Sequence, residues 1–130
     1  MWSFAEFLTE HNHNTQLFHK DIGIPPSLLK PLAGVRLTYG HHAKRAADDD
    51  GIEQLPGHIP AEYTTIEVES IEGRATKWVL RFPLAHTKRD LVIVVMADGF
   101  VKTVWTNARD DKHSTLKKWL YTPPSQFRAN

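Results

Sequence analysis

Two apolar runs, residues 91–97 and 100–106, flank the dipeptide Asp98-Gly99, and no other feature constrains the fold as tightly. Runs rich in Val and Thr, joined by two residues, predict a β-hairpin. Asp-Gly suits a type I′ turn, because both central residues need positive φ and Gly takes it freely. Such a turn sets Ala97 opposite Phe100, Met96 opposite Val101, Val94 opposite Thr103 and Val92 opposite Trp105. Thr103 then shares a face with Val101 and Trp105.

Residues 63–71 and 74–82 also read as strands, with turn signals at Glu72-Gly73 and over 83–88. Short connections between consecutive strands imply an antiparallel meander. In the second of these strands Trp78, Leu80 and Phe82 point one way and Lys77, Val79 and Arg81 the other. Both faces of the hairpin are largely apolar, so the pattern leaves open whether Thr103 lies on the face of Lys77 and Arg81.

Helical signals lie upstream. Ser3 and Glu6 have the form of a capping box, and Phe4, Phe7 and Leu8 share a helical face, so a first helix is expected over 4–18. Pro25, Pro26 and Pro31 limit residues 21–34 to a turn and a short helix at most. A short strand at 35–39 and a helix over 41–47, ending at Asp50-Gly51, come next. Residues 55–60, rich in Pro and Gly, form a connector. Residues 116–121 suit a last helical turn before Pro123-Pro124. The expected fold is therefore α+β: N-terminal helices followed by a four-stranded antiparallel β-sheet meander. Its parts are a helical arm over 1–33 and an α+β domain over 34–130.

A chain of 130 residues that is 41% hydrophobic supports one core rather than two. It has no cysteine, which excludes disulfides, thiolate metal sites and a Cys nucleophile, and points to a reducing cytoplasm. No export signal or membrane span is legible, and no membrane partner is expected. The net charge of +1 conceals segregation: residues 46–72 carry eight acidic residues and no Lys or Arg. From Gly73 onward, eleven Lys and Arg stand against four Asp. A basic face on a nearly neutral protein suits a polyanion such as RNA; the plain alternative is a mixed, solvated surface.

The sequence lacks a P-loop, a dinucleotide fingerprint, a His-Glu-x-x-His helix and a Gly-x-Ser-x-Gly elbow. His11 and His13 diverge on a helix, and Asp48-Asp49-Asp50 lacks calcium-loop spacing, so neither metal nor cofactor is expected. What remains is His41 or His42 with Lys44 and Arg45, the strand cations Lys77 and Arg81, and Thr103, Thr106 and Asn107. His113 beside Asp110 and Asp111 is a second candidate acid or base. These are the parts of a metal-independent phosphodiesterase. RNA cleavage needs a base for the 2′-OH proton, cations or donors for the phosphorane, and an acid for the leaving 5′-oxygen. Each also has a plain reading: histidines near a helix start are often surface residues, Lys77 and Arg81 can be a solvated strand face, and Thr103 a strand filler. Trp105 and Trp119 read as core rather than as base-stacking platforms.

The His42-Ala43 helix, the cationic strand ending Val79-Leu80-Arg81, and the hairpin from Asp90-Leu91-Val92 to Val101-Lys102-Thr103-Val104-Trp105 resemble the barnase/EndoU/colicin/RelE-like (BECR) superfamily of ribonuclease toxins. The resemblance covers residues 34–121. It implies a toxin-like endoribonuclease with His42 as catalytic histidine, Arg81 on a phosphate and Thr103 positioning substrate. Asn107, Asp110, His113 and Tyr121 fall where such families place further site residues. The basic residue on the helix departs from the pattern at Arg45. The expected catalytic set is thus His42, Arg81, Thr103 and His113, with Lys44, Arg45, Lys77, Asn107 and Tyr121 binding RNA. An antitoxin or immunity protein is the implied partner. The alternatives are a non-catalytic RNA- or protein-binding module on the same fold, and an antitoxin-like partner whose acidic segment mimics nucleic acid.

Overall fold

The computed structural model describes residues 14–111 and 116–129. Its centre is a mixed six-stranded sheet in the order β1-β3-β4-β5-β6-β2. The strands are β1 (Thr15–His19), β2 (Thr38–Tyr39), β3 (Thr64–Ile71), β4 (Arg74–Pro83), β5 (Arg89–Met96) and β6 (Phe100–Ala108), and α1 spans His41–Asp49. All neighbours run antiparallel except β2, which lies parallel to β6.

This corrects the expected architecture of N-terminal helices before a four-stranded meander. The four strands from β3 to β6 do pair consecutively, but a strand is added at each side. Of the helix expected over 4–18, residues 4–13 lie outside the described residues, Asn14 is in a turn and residues 15–18 are strand. Thr15 to His19 pair with Ile71 to Glu67 along the edge of β3. Leu17 and Phe18 are buried in different clusters on opposite faces of the sheet. A strand that buries both faces shows no alternation, so its period is invisible in sequence, and pairing with the open edge of β3 overrides local helix preference.

The hairpin is present with a different turn. Gly99 N donates to Met96 O at 3.0 Å, and Gly99 has φ +89° while Asp98 keeps negative φ. The connection is therefore a three-residue loop closed by a left-handed glycine. Val95 pairs with Val101, and a bulge before Val94 restores Val94↔Thr103 and Val92↔Trp105. The expected pairing of Met96 with Val101 is off by one; the pairs beyond the bulge are as expected. The type I′ geometry occurs instead at Glu72-Gly73, with φ of 52° and 81°.

The larger core lies on the sheet face covered by α1. Ala43 and Ala47 of α1, which packs over the β6 and β2 end of the sheet, belong to one buried cluster with Phe18, Val68, Trp78, Leu80, Leu91, Ile93 and Val101. The indole of Trp78 donates to Leu28 O at 3.0 Å, which satisfies its one polar atom. α1 ends in a Schellman motif: Ile52 N donates to Ala47 O and Gly51 N to Asp48 O, with Gly51 at φ +70°. The opposite face carries a smaller cluster of Leu17, Ile66, Val79, Val92 and Val94, against which Trp105, Leu120 and Tyr121 pack. No helix among the described residues is long and apolar enough to cross a membrane.

Candidate acid–base site

The expected catalytic residues are split by the sheet. Arg81 alternates with Leu80 and Phe82, which face α1, so Arg81 lies on the opposite face with Lys77 and Val79. Val79 is opposite Val94, and Val94 is opposite Thr103, which places Thr103 on that face too. The hairpin pattern alone had left that face open. His42 stands exposed on α1, on the other side of the sheet. Lys44 and Arg45 are exposed beside it, and Arg45 Nη2 lies 3.2 Å from His41 Nε2. His42 therefore does not converge with Arg81 and Thr103 on one phosphate. His113 lies outside the described residues.

Arg81 is occupied in holding the sheet end together. Its Nε donates to Asp90 Oδ2 at 2.8 Å, Nη1 to Asp111 O at 3.1 Å, and Nη2 to Ala108 O at 3.0 Å. Arg109 Nε donates to the other Asp90 oxygen at 3.0 Å. Burial pushes the Asp90 carboxyl up, but the hydrogen bonds and charges of Arg81 and Arg109 outweigh it and hold Asp90 below its usual range. Lys77 is buried, with Nζ 3.7 Å from Glu69 Oε1, and Thr76 Oγ1 donates to the same oxygen at 2.8 Å. Thr103 and Asn107 are buried as well.

Of the expected site residues, Tyr121 belongs to the cluster that best suits proton transfer. His19 of β1 and Glu67 of β3 are directly opposed across the strands, which puts their Cα atoms roughly 4.5–5.5 Å apart. The Tyr121 hydroxyl donates to Glu67 Oε1, and its ring meets the His19 ring edge-on at 5.0 Å. Glu67 is fully buried, and its second oxygen has no hydrogen-bond partner. Burial pushes its carboxyl up to about 8, against a smaller lowering from the Tyr121 hydrogen bond. His19 moves the opposite way: burial lowers its pKa, Asp21 opposes the change and Lys20 adds to it. Its Nδ1 accepts from Asp21 N at 3.1 Å and lies 3.8 Å from Asp21 Oδ2. Near neutrality the pair is a protonated carboxyl beside a neutral imidazole, the arrangement that separates an acid from a base.

Sequence reasoning missed His19, because it fell just past an expected helix, and Glu67, because it was counted with a solvated acidic segment. The available signal was Glu67-Val68-Glu69 within a strand, which puts two carboxylates on one face across from Lys77. Among the described residues no three His, Asp or Glu gather into a set that could hold a metal ion. No protein-family model, curated protein sequence or solved structure matches the chain.

Proposed function

We propose that this protein is an endoribonuclease that cleaves RNA by general acid–base catalysis, with its proton-transfer groups on the sheet face away from α1. The observation that carries this reading is the opposed pair His19 and Glu67, whose environments displace their pKa values in opposite directions. His19 takes the proton of the ribose 2′-OH on Nδ1, its unprotonated nitrogen, in exchange for the hydrogen bond from Asp21 N, and the imidazolium is stabilised by the nearby Asp21 carboxylate. The 2′-oxygen attacks phosphorus as the bond to the 5′-oxygen breaks. Tyr121, partly exposed, turns its hydroxyl hydrogen from Glu67 Oε1 to the leaving oxygen and, as it gives that proton up, takes the proton of the Glu67 carboxyl, leaving a 2′,3′-cyclic phosphate, a 5′-OH and an ionised Glu67. Lys20, whose charge is felt at His19, offsets charge on the phosphorane.

The resemblance of residues 34–121 to BECR toxins supports the same reaction class, and an antitoxin or immunity protein is the partner it suggests. The cysteine-free composition suits a cytoplasmic site of action. The test is incubation of a single-stranded RNA with wild type and Glu67→Gln in EDTA. Wild type is expected to yield 2′,3′-cyclic phosphate ends, and Glu67→Gln to lose about 10²-fold or more in kcat/KM. Binding without cyclic phosphate ends would instead support a non-catalytic RNA-binding module. The exposed His41, His42, Lys44 and Arg45 cluster favours that second reading. The acidic-mimic reading is weaker, because Glu67 and Glu69 are buried rather than displayed.

A further inference from the structure

Trp119 is 79% exposed, the largest exposure among the large hydrophobic side chains of the described residues, and this overturns its reading as a core residue. It sits in the 3-10 turn Lys118–Leu120, and Lys117 and Lys118 precede it on the surface. Leaving an indole largely in water forgoes a large burial gain, and Trp is enriched among the residues that anchor interfaces.

The turn is closed by its own backbone bonds and tied to β1 on its C-terminal side. Leu120 N donates to Lys117 O at 3.0 Å, Tyr121 N to Lys118 O at 3.2 Å and Thr122 N to Leu17 O at 2.7 Å. Leu120 and Tyr121 pack on the smaller core cluster, so the chain next to Trp119 is anchored while its indole is not covered. A preorganised aromatic loses little conformational freedom when a partner stacks on it.

We infer that the Lys117-Lys118-Trp119 turn is a base-stacking platform for single-stranded RNA, seated beside the His19–Glu67–Tyr121 cluster. Charge favours this occupant: Lys117 and Lys118 directly precede Trp119, both exposed, and residues 116–130 contain no acidic residue. An indole flanked by lysines matches a flat base joined to phosphates, and single-strand recognition relies on such stacking. Trp119 is two residues from Tyr121, so their Cα atoms are no more than ~7.6 Å apart. The two side chains add their own lengths to that span, so a base on Trp119 belongs to a nucleotide within a few positions of the scissile bond. This inference rests on the cleavage reading for its location, but the platform is testable without cleavage.

The probe is a ten-nucleotide 2′-O-methyl RNA, which lacks the free 2′-OH and is not cut, titrated into full-length wild type, Trp119→Ala and Trp119→Phe at fixed salt. Trp119→Ala is expected to weaken binding roughly five- to hundred-fold, and Trp119→Phe to retain most of it. The same strand in a duplex should bind no worse to Trp119→Ala than to wild type, because its bases are already stacked. Equal single-strand affinity for wild type and Trp119→Ala, or no binding to wild type, would overturn the platform. So would preference for anionic vesicles or for an acidic protein over the oligonucleotide. If the probe binds through Trp119 while wild type fails to cut unmodified RNA, the platform stands and the nuclease reading falls. If wild type is active and Trp119→Ala keeps both its binding and its kcat/KM, the nuclease reading stands and the platform falls.

Discussion

Glu67 is a carboxyl that folding places where ionisation is costly. Its pKa is 4.5 in a solvated chain and about 8 in the folded protein. Below pH 4.5 both states hold the proton. Between 4.5 and 8 the unfolded chain releases it and the folded chain keeps it, so stability falls as pH rises; above 8 both are ionised and the decline ends. Glu67→Gln keeps the shape and removes the titration. It should match wild type near pH 4 and exceed it at pH 8.5 by on the order of a few kcal/mol. Urea unfolding of both proteins across that range checks this, and curves that stay parallel would show that Glu67 ionises freely in the folded state. The same substitution removes the proposed acid, so stability and activity should move in opposite directions. Asp90 has the contrary sign: its lowered pKa favours the folded state above the usual carboxylate range, and that support is lost as pH falls through its folded pKa.

At the scale of elements, the hairpin tip is where sequence and structure agree and differ most instructively. A Cβ at Gly99 would meet Arg36 O at 2.1 Å, and Gly99 has φ +89°. The cause is β2, which brings Thr38 N to Gly99 O at 3.1 Å and crowds the turn. Gly99→Ala should therefore destabilise by at least about 3 kcal/mol, measured as a shift in urea midpoint with an unchanged slope. A loss below about 1 kcal/mol would mean that the chain at Arg36 moves aside readily. Asp98-Gly99 announced a hairpin because it is local chemistry, and Trp78, Leu80 and Phe82 announced a buried face because they alternate. The end of α1 was legible in Asp50-Gly51 for the same local reason. β1 was not legible, because it forms only by pairing with a strand distant in sequence; the strand expected over 35–39 is present as Thr38–Tyr39, but its parallel pairing with β6 was not legible for the same reason. His19 and Glu67 were hidden with them: their meeting depends on the register of β1 against β3, which no local pattern specifies.

For the whole molecule, the sheet acts as a partition. One face holds α1 and the larger core, with His41, His42, Lys44 and Arg45 on the outer side of the helix. The other holds buried acid–base groups and the segment that presents Trp119. A constellation assembled from sequence alone joined residues from both sides, whereas chemistry on one phosphate requires groups on one side. The most direct measurement compares His19→Ala with His42→Ala in the RNA cleavage assay in EDTA, with folding verified by circular dichroism. The account predicts a loss of about 10²- to 10⁴-fold in kcat/KM for His19→Ala and a rate within about two-fold of wild type for His42→Ala. Full activity in His19→Ala with inactivation of His42→Ala would contradict it and move the reaction to the surface of α1.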